Sequence, residues 1–168
     1  MRFTPAALAL SALAVVTSSM SHSAPREDLD PRAAALVAQG RAAQAAGNVN
    51  GALDAYEAAL VVQPGSVAIL LNIAGATRLQ GMQGKALHYY REALESDPRN
   101  LAAIAGEGAA LAEKGAVQKA RRNLARLKGM CGLDCAATRQ LAAVIEKGPA
   151  PRVVRAETIK PEPVVSEN

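Results

Sequence analysis

The chain has 168 residues and only two cysteines, Cys131 and Cys135, which bracket the stretch "CGLDC". Two thiols this close can do three kinds of chemistry. They can close a disulfide, exchange electrons with a substrate, or offer soft thiolates to Cu(I) with the Met130 thioether beside them. A thioredoxin-like redox site needs two intervening residues and a βαβ setting, whereas three residues intervene here and no strand pattern flanks them. A disulfide is the simpler account. Gly132 lets the chain turn tightly and Asp134 is placed to cap a following helix. Closing so small a loop constrains the unfolded chain by roughly 2 kcal/mol on the entropy model. The account requires a helix break at Gly132, because cysteines four apart in one continuous helix would be bridged only under strain. The copper and redox readings stay open at this point.

Little else in the sequence is equipped for catalysis. Outside the first 23 residues the one histidine is His88, set between Leu87 and Tyr89 on the side of a helical pattern away from its apolar stripe, so it reads as a solvated surface residue. There is no carboxylate pair, glycine-rich phosphate loop or metal-ligand cluster, and "GEG" at Gly106 to Gly108 reads as a close-packing site. No enzyme activity, metal or cofactor is therefore expected. The formal charge of +4 is modest and the basic residues do not interleave with aromatics, so nucleic acid is not an expected partner.

The elements that must position any site begin with a leader. Residues 1–23 combine Arg2, an apolar run from Ala6 to Val16 and a polar stretch of small residues, the pattern of a secretory signal peptide cut at Ser23|Ala24. The run falls short of the roughly 20 residues a spanning helix needs. An exported chain, placed by expectation in a bacterial periplasm, meets conditions in which disulfides persist.

Beyond a short lead-in (24–30) the sequence repeats every 34 residues. Gly47, Gly81 and Gly115 keep that spacing, as do Ala52, Ala86 and Ala120, and Tyr56, Tyr90 and Leu124. Gly40, Ala74 and Gly108 form another column, and Pro64 and Pro98 close the first two units. Each unit reads as a helix–turn–helix. Ile69, Leu70, Ile73, Ala74 and Thr77 line one helix, capped by Ser66, and Ala86, Leu87, Tyr90, Ala93 and Leu94 line the next. The units are 31–64, 65–98 and a degenerate 99–132, followed by an amphipathic capping helix over 133–147 and a proline-rich tail over 148–168 that reads as disordered.

"ALDAYEAALVVQP" (Ala52 to Pro64) and "ALHYYREALESDP" (Ala86 to Pro98) resemble the tetratricopeptide repeat (TPR) family. The third unit departs from the pattern at Leu124, Leu127 and Gly132, and Leu36, Leu70 and Ile104 stand where the family opens with an aromatic residue. The resemblance implies an all-α fold, a right-handed α-solenoid of three repeats with a C-terminal cap. It also implies a concave face, lined by the first helix of each unit, that holds a protein or peptide. Spacing puts Val37, Arg41 and Gln44 on that face in the first unit, Leu71, Asn72, Gly75, Arg78 and Leu79 in the second, and Ala105, Ala109, Ala112 and Glu113 in the third. Asn72 matches a position where family members place an asparagine for a ligand's main chain, and Arg41 and Arg78 suit a carboxylate. The family's full basic set for clamping a C-terminal carboxylate is absent. The alanine-rich third face suits a packed helix better than a polar peptide.

Lys119 to Lys128, "KARRNLARLK", carries five cations and no acid. It suits an acidic partner or anionic headgroups, or simply a solvated face. Leu124 and Leu127 belong to the core, so membrane insertion is not expected. The sequence thus points to a non-enzymatic, exported adaptor. A thiol-dependent redox or copper-handling protein is the alternative, and self-association into a weak homo-oligomer through the third unit and cap is a third reading.

Overall fold

The computed structural model describes residues 27–149, so the expected signal peptide and nearly all of the expected tail lie outside the described residues. Seven helices follow one another: α1 (Pro31–Ala45), α2 (Val49–Val62), α3 (Val67–Leu79), α4 (Gln83–Ser96), α5 (Leu101–Glu113), α6 (Val117–Cys131) and α7 (Ala136–Lys147). No strand occurs among the described residues.

Local chemistry sets these boundaries. The Asp30, Asn48, Ser66 and Asn100 side chains each accept a hydrogen bond from a backbone N–H of the first turn they precede, satisfying donors that the helix itself leaves open. Within each unit the turn is made by Gly47, Gly81 or Gly115 at φ of +79°, +77° and +92°, a conformation that costs a residue with a Cβ about 1 kcal/mol or more. Those three glycines are therefore the punctuation of the repeat.

The core is a row of small clusters, each shared by neighbouring helices. Ala33, Ala52, Tyr56, Ala59, Ile69 and Ile73 join α1, α2 and α3. Ala74, Ala86, Leu87, Tyr90, Ala110 and Ala120 join α3 to α6. Ile104, Leu127 and Leu141 tie α5, α6 and α7 together. Alanine and glycine at the crossings bring backbones close, and leucine, isoleucine and tyrosine fill what remains.

The two tyrosines solve the same packing problem in opposite ways. Tyr56 lies over Gly40 of its own unit, where an added Cβ would come within 2.6 Å of its Cδ1. Ala74 fills the matching position of the second unit, and there Tyr90 lies over Gly106 of the next unit, where a Cβ would come within 2.7 Å of its Oη. Asn72 is the counterpart of Gly106 one unit earlier. Each ring thus takes one glycine, on the preceding helix or on the following one.

Candidate functional site

The odd-numbered helices α1, α3, α5 and α7 line one side of the array, and two depressions run along it. Residues 34 apart occupy matching places, so Asn72, Gly106 and Gln140 form one column and Gly75, Ala109 and Ala143 another. The two depressions differ in chemistry, the first lined by polar side chains and the second mostly by small and aliphatic ones.

The first depression is a polar cleft of about 260 Å³ lined by Arg41, Gln44, Ala45, Tyr56 and Asn72. Arg41 Nε donates to Asn72 Oδ1 at 3.5 Å, and Asn72 Nδ2 donates to the Ala68 carbonyl of its own helix at 2.6 Å. Tyr56 Oη donates to Gln44 Oε1 at 3.3 Å. Burial pushes the Tyr56 hydroxyl's pKa up, and the Arg41 guanidinium partly offsets this. Arg41 is exposed, so its charge faces solvent at the rim.

Arg78 sits between the two depressions. Its Nη1 donates to Glu113 Oε1 at 2.7 Å, and Gln83 Nε2 donates to the other Glu113 oxygen at 2.9 Å. This ion pair joins α3 to α5, and both side chains are about three-quarters covered. Burial raises the pKa of the adjacent Tyr90, while Arg78 lowers it. A ligand carboxylate reaching Arg78 would have to compete with Glu113, which the sequence alone placed on the same face without pairing them.

The second depression is a trough of about 560 Å³. Arg78 and Tyr90 close one end, Ala102, Ala105, Gly106 and Ala109 of α5 form one wall, and Gln140, Leu141, Ala143 and Val144 of α7 form the other. Small side chains on α5 leave this trough open to an apolar guest. The α7 wall was missed by sequence reasoning, which gave that helix a capping role only. The signal was present: α7 continues the 34-residue register, and Thr138 falls in the column of Leu70 and Ile104.

Val37 does not reach this surface. It is 3% exposed and packs in the first cluster with Tyr56 and Ile69, because α1 turns that side toward α2 and α3. Ala112, expected on the face, is fully buried among α3, α4 and α6 residues. Leu71 and Gly75 are half-buried on α3, and Leu79 is exposed at its end.

The cysteine loop meets the stated requirement for a break. Helix α6 ends at Cys131, Gly132 takes φ +84°, and the Cys131 and Cys135 sulfurs lie at bonding distance, 2.20 Å. Asp134 does not cap α7: Cys135 occupies the N-cap place and no side chain accepts there. Thr138, buried on α7, instead donates from its hydroxyl to the Gly132 carbonyl at 2.9 Å. The clip and this bond together fix the first turn of the helix that walls the trough.

His88 is exposed on α4, with Nε2 at 3.8 Å from Glu92 Oε2. Among the described residues no three His, Cys, Asp or Glu side chains stand close enough together to hold a metal, and no helix is long and apolar enough to cross a membrane.

No protein-family model and no curated protein matches the sequence. Solved structures do. The Sgt2 TPR domain from Aspergillus fumigatus is 25% identical, covers 78% of this chain and 94% of its own, and superposes with a TM-score of 0.63. The first TPR of Spaghetti (RPAP3), bound to the HSP90 peptide SRMEEVD, is 19% identical over 71% of this chain and 95% of its own, with a TM-score of 0.63. The TPR2B domain of yeast Sti1, in a complex with pHsp70, is 17% identical over 70% and 96%, with a TM-score of 0.64. Repeat period, helix pairing and these likenesses agree that the chain has a TPR-like, all-α helical-repeat fold.

Proposed function

We propose that this protein is an exported, non-enzymatic adaptor that holds a protein or peptide partner along the face of its odd-numbered helices. The observation that carries the reading is that a polar cleft and an apolar trough lie on that one face. Arg41, Gln44 and Asn72 offer donors and acceptors for a main chain or an acidic side chain, and the α5–α7 trough offers apolar surface. An amphipathic segment, polar at one end and small or aliphatic at the other, matches that order. Among the solved structures of like fold, the Spaghetti TPR is bound to an HSP90 peptide and the Sti1 domain is in a complex with pHsp70, which supports a peptide or protein ligand. The N-terminal leader pattern supports export into a periplasm.

The test is crosslinking in the exporting cell followed by mass spectrometry. A partner captured by wild type is expected to be lost from Arg41→Ala/Asn72→Ala, which strips the cleft, and from Ala143→Glu, which puts a charge on an exposed wall of the trough. Equal capture by all three proteins would refute the assignment of this face.

A further inference from the structure

The face of α6 that points away from the core carries Lys119, Arg121, Arg122, Arg126 and Lys128, all exposed, and no acid. Helical spacing puts Lys119, Arg122 and Arg126 on one flank and Arg121 and Lys128 on the other. Between the flanks run Gln118, Ala125 and Gly129, also exposed. None of these cations takes part in the four side-chain ion pairs among the described residues, and only the Arg126 side chain has a hydrogen-bond partner, the Pro98 carbonyl.

Comparison of the repeats with one another gives this face its meaning. Arg121 stands in the column of Leu53 and Leu87, which are buried in the core, and Lys128 in the column of Leu60 and Leu94, which pack against it. The last even helix has no further repeat to cover those positions, so a polar replacement is required there. Solubility alone asks for charges of both signs interspersed. Here all five replacements or neighbours have one sign, where the earlier units carry Asp54 and Glu92 in the columns of Arg122 and Arg126.

We infer that the outer face of α6 rests on an anionic lipid bilayer surface. Ala125 and Gly129 along its centre let the helix lie flat, while long cations on both flanks bend to headgroup phosphates. No residue of α6 lines the polar cleft or the apolar trough, so this charged face stands apart from both. A plane of diffuse negative charge requires no shaped pocket. Leu133, 67% exposed in the clipped loop just past the end of α6, adds an apolar contact beside the headgroups. Contact is peripheral, since Ala120 and Leu127 on the opposite side of α6 are buried in the core.

The experiment is flotation of the full chain with phosphatidylglycerol-containing vesicles and with pure phosphatidylcholine vesicles, at low and high salt. The readout is the ratio between the two vesicle types, because an apolar leader would bind both. Wild type should prefer anionic vesicles, and salt should abolish the preference. Each juxtamembrane cation is worth about a fivefold change in partition, so Arg121→Gln/Arg122→Gln/Lys128→Gln should lower the preference on the order of a hundredfold. Arg32→Gln/Lys85→Gln/Lys147→Gln removes the same charge elsewhere and should keep most of it. Equal loss in both triple variants, or no preference in wild type, overturns the inference. So would retention of wild type on a polyglutamate resin without any vesicle preference, which would assign the face to an acidic protein.

Discussion

Replacing Gly40 with alanine should destabilise the protein, whereas the same change at Gly75 should stabilise it. Both glycines lie inside helices, α1 and α3, so each gains about 1 kcal/mol from the better helix former. They differ in what the new methyl meets. At Gly75 nothing lies within 4 Å, while at Gly40 the methyl would press on the Tyr56 ring, which is 1% exposed and cannot swing into solvent. Overpacking of this kind costs about 1–3 kcal/mol, so Gly40→Ala should come out between neutral and about 2 kcal/mol destabilised. The gap between the two variants, about 1–3 kcal/mol, corresponds to roughly 4–12 °C in midpoint for a domain of this size. Thermal unfolding followed by far-ultraviolet circular dichroism measures it directly. The second tyrosine suggests a sharper experiment. Where alanine fills the position of Gly40, the ring lies over a glycine in the next unit, so Asn72→Gly should give Tyr56 the berth that Tyr90 already has. A double-mutant cycle of Gly40→Ala with Asn72→Gly should show favourable coupling of about 1 kcal/mol. Equal stabilisation by Gly40→Ala and Gly75→Ala, or zero coupling in the cycle, would refute the packing argument.

Two further outcomes follow from the clip and the buried hydroxyls. Cys131→Ser/Cys135→Ser should lose roughly 2 kcal/mol in urea unfolding, with faster amide exchange concentrated in α7; exchange unchanged in α7 would show that the clip does not hold that helix. Burial raises the Tyr56 and Tyr90 pKa values above the ordinary tyrosine value of 10.0, so each folded hydroxyl keeps its proton to higher pH than the unfolded one. Their contribution is complete below the unfolded pKa and is lost as pH rises through the folded values. Urea midpoints should therefore fall above pH 10.0, and less steeply in Tyr56→Phe/Tyr90→Phe; identical pH dependence in the two proteins would contradict the assignment.

The sequence by itself determined the period, the helix pairs and their ends. These depend on neighbours in the chain: a glycine that takes positive φ at Gly81, an oxygen at Ser66 that caps the next turn, an apolar stripe from Ile69 to Thr77. It also put two thiols close enough to bond. Tertiary structure decided everything that depends on which helices touch. Val37 and Ala112 are apolar residues at spacings compatible with either the core or the open face, and only the packing of α1 with α2 and α3 and of α5 with α3, α4 and α6 buries them. Arg78 and Glu113 are 35 residues apart, and their pairing depends on the separation of α3 and α5. The trough exists because Leu141 of α7 packs on Ile104 and beside Gly108 of α5 while the clip and Thr138 tie α7 to the end of α6, a long-range arrangement that helical periodicity does not encode. Local patterns specify elements through short-range sterics and hydrogen bonds. A site shared by four helices is specified by packing, which sequence spacing alone leaves undetermined.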